Sequence, residues 1–84
     1  MYSVFYTSAV HRQLRRLPRD ITAQVVAAVE SLSRNPRTPH TEKLEGSTAA
    51  YRLRVGRYRL LYTIDDRIKR VAIYRIAHRR EAYR

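Results

Sequence analysis

The chain has 84 residues, of which 44% are hydrophobic, and a formal net charge of +11 at pH 7; that length predicts one domain spanning residues 1–84 around a single modest core. It contains no cysteine, which excludes a disulfide framework and a thiolate metal centre and suits a reducing cytosol. No basic flank followed by an apolar run opens the sequence, and no apolar stretch approaches the ~20 residues that span a bilayer, so the expectation is a cytoplasmic protein with no membrane partner.

Tyr2–Tyr6 is rich in aromatic and branched residues and reads as a first strand. Thr7 or Ser8 offers a hydroxyl to cap a helix, and Val10, Leu14 and Leu17 follow at helical spacing. Pro18 ends that helix or starts the link to the next. Asp20 reads as the N-cap of a second helix, whose apolar stripe is Ile21, Val25, Ala28, Val29 and Leu32. Asn35-Pro36 stops it, because a residue before proline avoids the helical region. Arg37–Thr48 carries turn formers and reads as a connecting loop, with Leu44 packed inward. Tyr51–Ile64 then reads as a β-hairpin turning at Gly56. Asp65-Asp66 reverse the chain into a last strand, Arg70–Ile76. The phase of that strand is ambiguous, since Val71 and Ile73 favour one face while Ala72, Tyr74 and Ile76 favour the other. A bulge or a strand buried on both faces accounts for this. His78–Arg84 is a short polar C-terminal tail. The predicted fold is α+β, in the order β-α-α-β-β-β. A helical hairpin packs on one face of a mainly antiparallel, twisted four-stranded sheet.

The hairpin concentrates the charge. In Tyr51–Ile64 the apolar Tyr51, Leu53, Val55, Tyr58, Leu60, Tyr62 and Ile64 alternate with Arg52, Arg54, Arg57 and Arg59, so arginines share one sheet surface. Arg57 has the phase of Arg59 but sits at the turn. Residues 1–48 carry seven basic and four acidic side chains, and residues 49–84 carry eleven and three. That asymmetry implies a polyanionic partner, most simply nucleic acid. GC-rich codon usage accounts as well for sixteen arginines against two lysines, but not for the uneven distribution. Arginines on a half-exposed strand are also commonly just a solvated face.

Other chemistry is poorly supported. His11, His40 and His78 are too scattered for a metal motif, two glycines cannot build a phosphate loop, and no Ser nucleophile has a local signature. No metal or cofactor is implied. What remains is the arginine face with a tail bearing His78, Arg79, Arg80 and Tyr83. Guanidinium groups bind RNA phosphates bidentately and stabilise a pentacoordinate phosphorane. Cleavage without metal also needs an acid and a base, for which His78 has the suitable ordinary pKa; Tyr83 suits stacking or proton donation.

The strand, helical pair, K-L-x-G loop, Y-R-x-R-x-G-x-Y-R-L-x-Y hairpin and H-R-R-x-x-Y tail resemble the RelE/ParE superfamily of bacterial type II toxins. Lys43, Leu44, Gly46, Tyr51–Gly56, Tyr58–Leu60, Tyr62 and His78–Tyr83 carry the match. The resemblance implies a toxin neutralised by a cognate antitoxin, whose acidic segment would cover the basic face. RelE-like members cut mRNA in the ribosomal A site without metal, and ParE-like members act on DNA gyrase. The RelE-like expectation makes Arg59 and Arg79 clamps on the scissile phosphate. Arg52, Arg54, Arg57 and Arg80 would bind RNA, while His78 and Tyr83 serve acid–base chemistry and stacking. The best-known members have lysines where this chain has Arg52 and Arg54, and arginine is a poor proton shuttle. The alternatives are a gyrase-blocking, non-nuclease toxin and a catalytically inactive nucleic-acid-binding member.

Overall fold

The computed structural model describes residues 1–44, 46 and 50–78. Its elements are β1 (Ser3–Tyr6), α1 (Ser8–Arg16), α2 (Arg19–Arg34), β2 (Thr41–Lys43), β3 (Ala50–Val55), β4 (Tyr58–Asp65) and β5 (Arg70–His78). The Thr7 hydroxyl accepts the Val10 N–H and starts α1. Leu17 turns extended before Pro18 and ends it. Pro18, rather than Asp20, takes the N-cap position of α2, with no side-chain capping bond. Proline's fixed φ and missing N–H fit a helix start, and Asp20 lies one step inside, where its charge still complements the dipole. No described helix is long and apolar enough to cross a membrane.

The α+β architecture is as expected, with one more strand than the sequence suggests. The sheet has five strands in the order β1-β5-β4-β3-β2. β1 runs parallel to β5, and every other neighbouring pair is antiparallel. The added strand is β2, inside the stretch expected to be a loop. Thr-Glu-Lys has no apolar alternation to announce it. It is a strand because it pairs with the edge of β3, Thr41 opposite Leu53, Glu42 opposite Arg52 and Lys43 opposite Tyr51. Leu44 is half-buried just beyond it, its N–H donating to the Ala50 carbonyl.

Val10 from α1 and Val25 and Leu32 from α2 meet Leu53, Val55, Leu60, Tyr62, Ile64, Val71, Ile73 and Ile76 in one core. Both helices therefore cover the same sheet face. The ambiguous phase of the last strand resolves as a bulge: Leu61 pairs with Arg75 but Tyr62 pairs with Ile73, leaving Tyr74 as the extra residue. One inserted residue inverts the alternation, so Val71, Ile73 and Ile76 all point to the core. Without it Arg75 would take a core position. The β3–β4 turn is a two-residue loop in which Gly56 adopts φ +60°, a conformation disfavoured for residues with a Cβ.

Two contacts hold segments that the ladders leave unsupported. β1 stops pairing at Ile73, and beyond it the Gln13 amide takes the place of a strand. Its Nε2 donates to the Ile76 carbonyl at 2.8 Å, and its Oε1 accepts the Ile76 N–H at 2.9 Å. The segment between α2 and β2 is held by Tyr62, whose fully buried ring donates its hydroxyl proton to the Pro36 carbonyl at 2.7 Å. Nearby, Arg37 grips both Asp66 oxygens at 3.0 and 2.8 Å and donates to the Tyr51 hydroxyl at 3.1 Å. Tyr2 donates to Asp66 at 2.6 Å. These charge-assisted bonds lower the Asp66 pKa to about 2.

Gln13→Ala strands the part-buried Ile76 N–H and carbonyl, so chemical denaturation should show a loss of roughly 1–3 kcal/mol. Gln13→Glu, which keeps the acceptor but not the donor, should lose less. Burial pushes the Tyr62 pKa up to about 12 from its ordinary 10. A raised phenol pKa favours the folded state below pH 10, and that contribution disappears as pH climbs from 10 through 12. Urea midpoints should fall across that window, and fall less steeply in Tyr62→Phe.

Candidate functional site

The sheet face turned away from the helices follows from the ladder registers. One row across it reads Glu42, Arg52, Leu61, Arg75, and the next reads Arg54, Arg59, Ala77. Partners in a row share a face and stand roughly 5 Å apart. Arg52 thus faces an opposite charge on β2, while Arg54 and Arg59 oppose each other directly. Like charges directly across a ladder are destabilising. The Glu42 carboxylate, close to both, offsets part of that repulsion.

A cleft of about 340 Å³ opens there, lined by Pro39, His40, Glu42, Arg52, Arg54 and Arg59. Arg59 forms its inner wall at 5% exposure, whereas Arg54 and His40 are exposed at its rim. Glu42 forms an ion pair with Arg52. Its hydrogen bond to Arg52, with the nearby charges of Arg52, Arg54 and Arg59, holds its pKa below the ordinary carboxylate value. Glu42 is therefore ionised at neutral pH, and the cleft combines three guanidinium groups, one carboxylate and one imidazole. The described residues contain no group of three His, Asp or Glu side chains placed to hold a metal ion.

Of the residues singled out from sequence, Arg52, Arg54 and Arg59 come together. Arg57 lies exposed in the β3–β4 turn and does not line the cleft. His78 is the last residue of β5, opposite Tyr58, with the two rings edge to face at 5.2 Å. Its strand phase is that of Tyr58 and Leu60, the helix-facing side. Arg79, Arg80 and Tyr83 lie outside the described residues. Sequence reasoning missed three others. Glu42 and His40 fall in the stretch that reads as a loop in the sequence and is β2 and its approach in the structure. Arg75 was hidden by the uncertain phase of β5, which the bulge sets to the open face. A clue to Glu42 was available, since an acidic residue on a strand beside an arginine-bearing strand is a favourable cross-strand pair.

The family described as "ParE toxin of type II toxin-antitoxin system, parDE" matches this sequence over residues 4–83. The chain belongs to the RelE/ParE superfamily of type II toxins. Among its relatives, Toxin RelG from Mycobacterium tuberculosis is 42% identical, over 99% of this chain and 97% of RelG. Toxin RelE of the same organism is 41% identical, over 99% of this chain and 87% of that protein. A toxin chain in the crystal structure of the M. tuberculosis RelBE2 toxin–antitoxin complex superimposes with a TM-score of 0.81 and 40% identity, covering 93% of this chain and 98% of that one. The archaeal RelE–RelB complex from Pyrococcus horikoshii gives a TM-score of 0.83 at 27% identity, covering 93% and 94%. Within the superfamily this is a RelE-like toxin.

The ion pair inside the cleft makes a direct prediction. An anion entering the cleft would have to compete with Glu42 for Arg52. Glu42→Gln should tighten binding of an all-deoxy, uncleavable oligonucleotide in fluorescence anisotropy. Arg54→Ala should weaken it and flatten the dependence of log affinity on log salt by ~0.7, the value for one phosphate contact on a single strand.

Proposed function

We propose that this toxin is a RelE-like, ribosome-dependent mRNA endoribonuclease that works without metal and inhibits translation in the cytoplasm. The observation that carries this reading is the convergence of Arg52, Arg54 and Arg59 with Glu42 in one cleft. Cleavage of this type moves the ribose 2′-oxygen onto the adjacent phosphorus while the 5′-oxygen leaves. Arg59, buried in the cleft wall, and Arg54 opposite it bind the non-bridging oxygens and stabilise the charge of the phosphorane. Arg52 and Arg57 add phosphate contacts, and the family resemblance gives Arg79 a role on the scissile phosphate and Arg80 one in RNA binding. Glu42 accepts the 2′-hydroxyl proton once phosphate has displaced it from Arg52. A base with a lowered pKa is weak, and loss of its arginine partner raises its basicity at the moment it is needed. The leaving 5′-oxygen takes a proton from a histidine or from Tyr83, which also stacks on a base. His78 fills the acid role if the strand end turns toward RNA, and His40 already stands at the cleft.

The partner that follows from this reading is a cognate antitoxin. The relatives solved as RelE–RelB and RelBE2 complexes are held by one, and a chain of net charge +11 suits an acidic segment laid over the arginine face. Ribosome and mRNA are the target.

The description of the matched family, which names ParE, supports a second reading as a non-nuclease toxin acting on DNA gyrase. Induction of the toxin followed by primer extension on cellular mRNA, beside a supercoiling assay with purified protein, separates the two. The expected result is cleavage within codons, lost by about 10²–10³-fold in Arg59→Ala, the range for removing one stabiliser of transition-state charge. Glu42→Gln should retain RNA binding and lose cutting. Intact mRNA under growth arrest, with inhibited supercoiling, would establish the second reading instead.

A further inference from the structure

A second groove lies on the other side of the β3 edge from the arginine cleft. β2 pairs with β3 only as far as Leu53, so among the described residues no strand lies beside Arg54, Val55 and Gly56 on that edge. α2 passes on the helix side, and the space between them measures about 340 Å³. Ala28, Leu53 and Val55 form its apolar floor, and Gln24, Ser31 and Thr38 supply amide and hydroxyl groups around it. His40 and Arg54 line both this groove and the arginine cleft. The two spaces therefore meet at one pair of side chains across a single strand edge.

We propose that this groove is a nucleobase pocket for the strand whose phosphate lies in the arginine cleft. The proposal rests on the phosphate-binding reading of that cleft. A nucleotide joins a charged phosphate to a flat, mostly apolar ring through one ribose, and neighbouring strands are only ~4.8 Å apart. An edge with cations on one side and an apolar floor on the other matches that distribution of chemistry. The ring faces cover Leu53, Val55 and Ala28, while the base edge meets Gln24, Ser31 and Thr38, which both donate and accept. Arg54 and His40 stand at the ribose and hold the crossing point. The volume lies at the small end of the ~300–1,000 Å³ usual for small-molecule sites. An aliphatic side chain of a protein partner would use the floor but leave the ring of donors and acceptors without counterparts, which disfavours it.

Such a pocket gives this toxin a means of preferring one base beside the scissile phosphate. The test compares ribose 5-phosphate with the four ribonucleoside 5′-monophosphates by NMR titration of the purified toxin. The nucleotides should bind about tenfold tighter than ribose 5-phosphate, the gain from burying part of the ring on an aliphatic floor, and should shift the Ala28 and Val55 amides. Ala28→Leu fills the floor and should bring the ratio of nucleotide to sugar-phosphate affinity toward one. Gln24→Ala, at an exposed helix position that tolerates the change, should alter the ranking among the four bases. Equal affinity for nucleotides and ribose 5-phosphate would overturn the pocket while leaving the phosphate cleft intact. Absence of binding by every phosphate compound would overturn both readings. Base-dependent binding that ignores Ala28→Leu, or a leucine-bearing acidic peptide shifting Ala28 and Val55 where nucleotides do not, would assign the groove elsewhere.

Discussion

The register of β3 against β4 is the constraint on which the arginine cleft depends. With Leu53 opposite Leu60, the period-two alternation sends every apolar side chain of the hairpin to the helices and brings Arg54 and Arg59 face to face on the other side. The same pairing that completes the core thus concentrates like charge. A protein selected for stability alone has no reason to keep two opposed arginines, one of them nearly buried. A conflict between a local rule and the global fold is commonly found at a functional site. Here it sets Arg54 beside Arg59, and β2 brings in Glu42, whose carboxylate pairs with Arg52 and lies near the charges of Arg54 and Arg59.

The β5 bulge is the second device, and it acts on both faces. Upstream of Tyr74 the strand places Val71 and Ile73 inward. Downstream, the inserted residue keeps Ile76 inward and turns Arg75 out beside Leu61. One residue therefore reconciles a run of apolar side chains with a charged one in its midst. The bulge also sets the phase of His78, which faces Tyr58 and the helix side. Gln13 holds the strand at Ile76, where β1 no longer accompanies it.

The cleft also depends on contacts well away from it. Pro36 rests on the Tyr62 hydroxyl, and Arg37 is tied to Asp66 and Tyr51. The chain then turns at Thr38, whose carbonyl accepts both the backbone N–H and hydroxyl of Thr41. This short path fixes where β2 begins and hence where His40 and Glu42 stand. Tyr62 belongs to the core, so packing of the hairpin and placement of the cleft rim are mechanically linked.

Much of this molecule is legible in the order of its residues. The helical stripes, the Thr7 cap, the glycine turn and the alternation of Tyr51–Ile64 are local patterns, and each appears in the structure as an element of the expected kind. So do the shared face of Arg52, Arg54 and Arg59 and the possibility of a bulge in the last strand. What local pattern does not contain is pairing between distant segments. Thr41–Lys43 is a strand only because β3 lies beside it, and nothing in three polar residues encodes that neighbour. Glu42 and His40 enter the cleft for the same reason, and Arg75 joins its face only once a bulge selects one of two phases. The sequence by itself determined the elements and the charge of the hairpin, because backbone periodicity and turn chemistry act over a few residues. The tertiary structure alone decided which acid and which imidazole accompany those arginines, because that choice is made by strand registers between residues far apart in the chain.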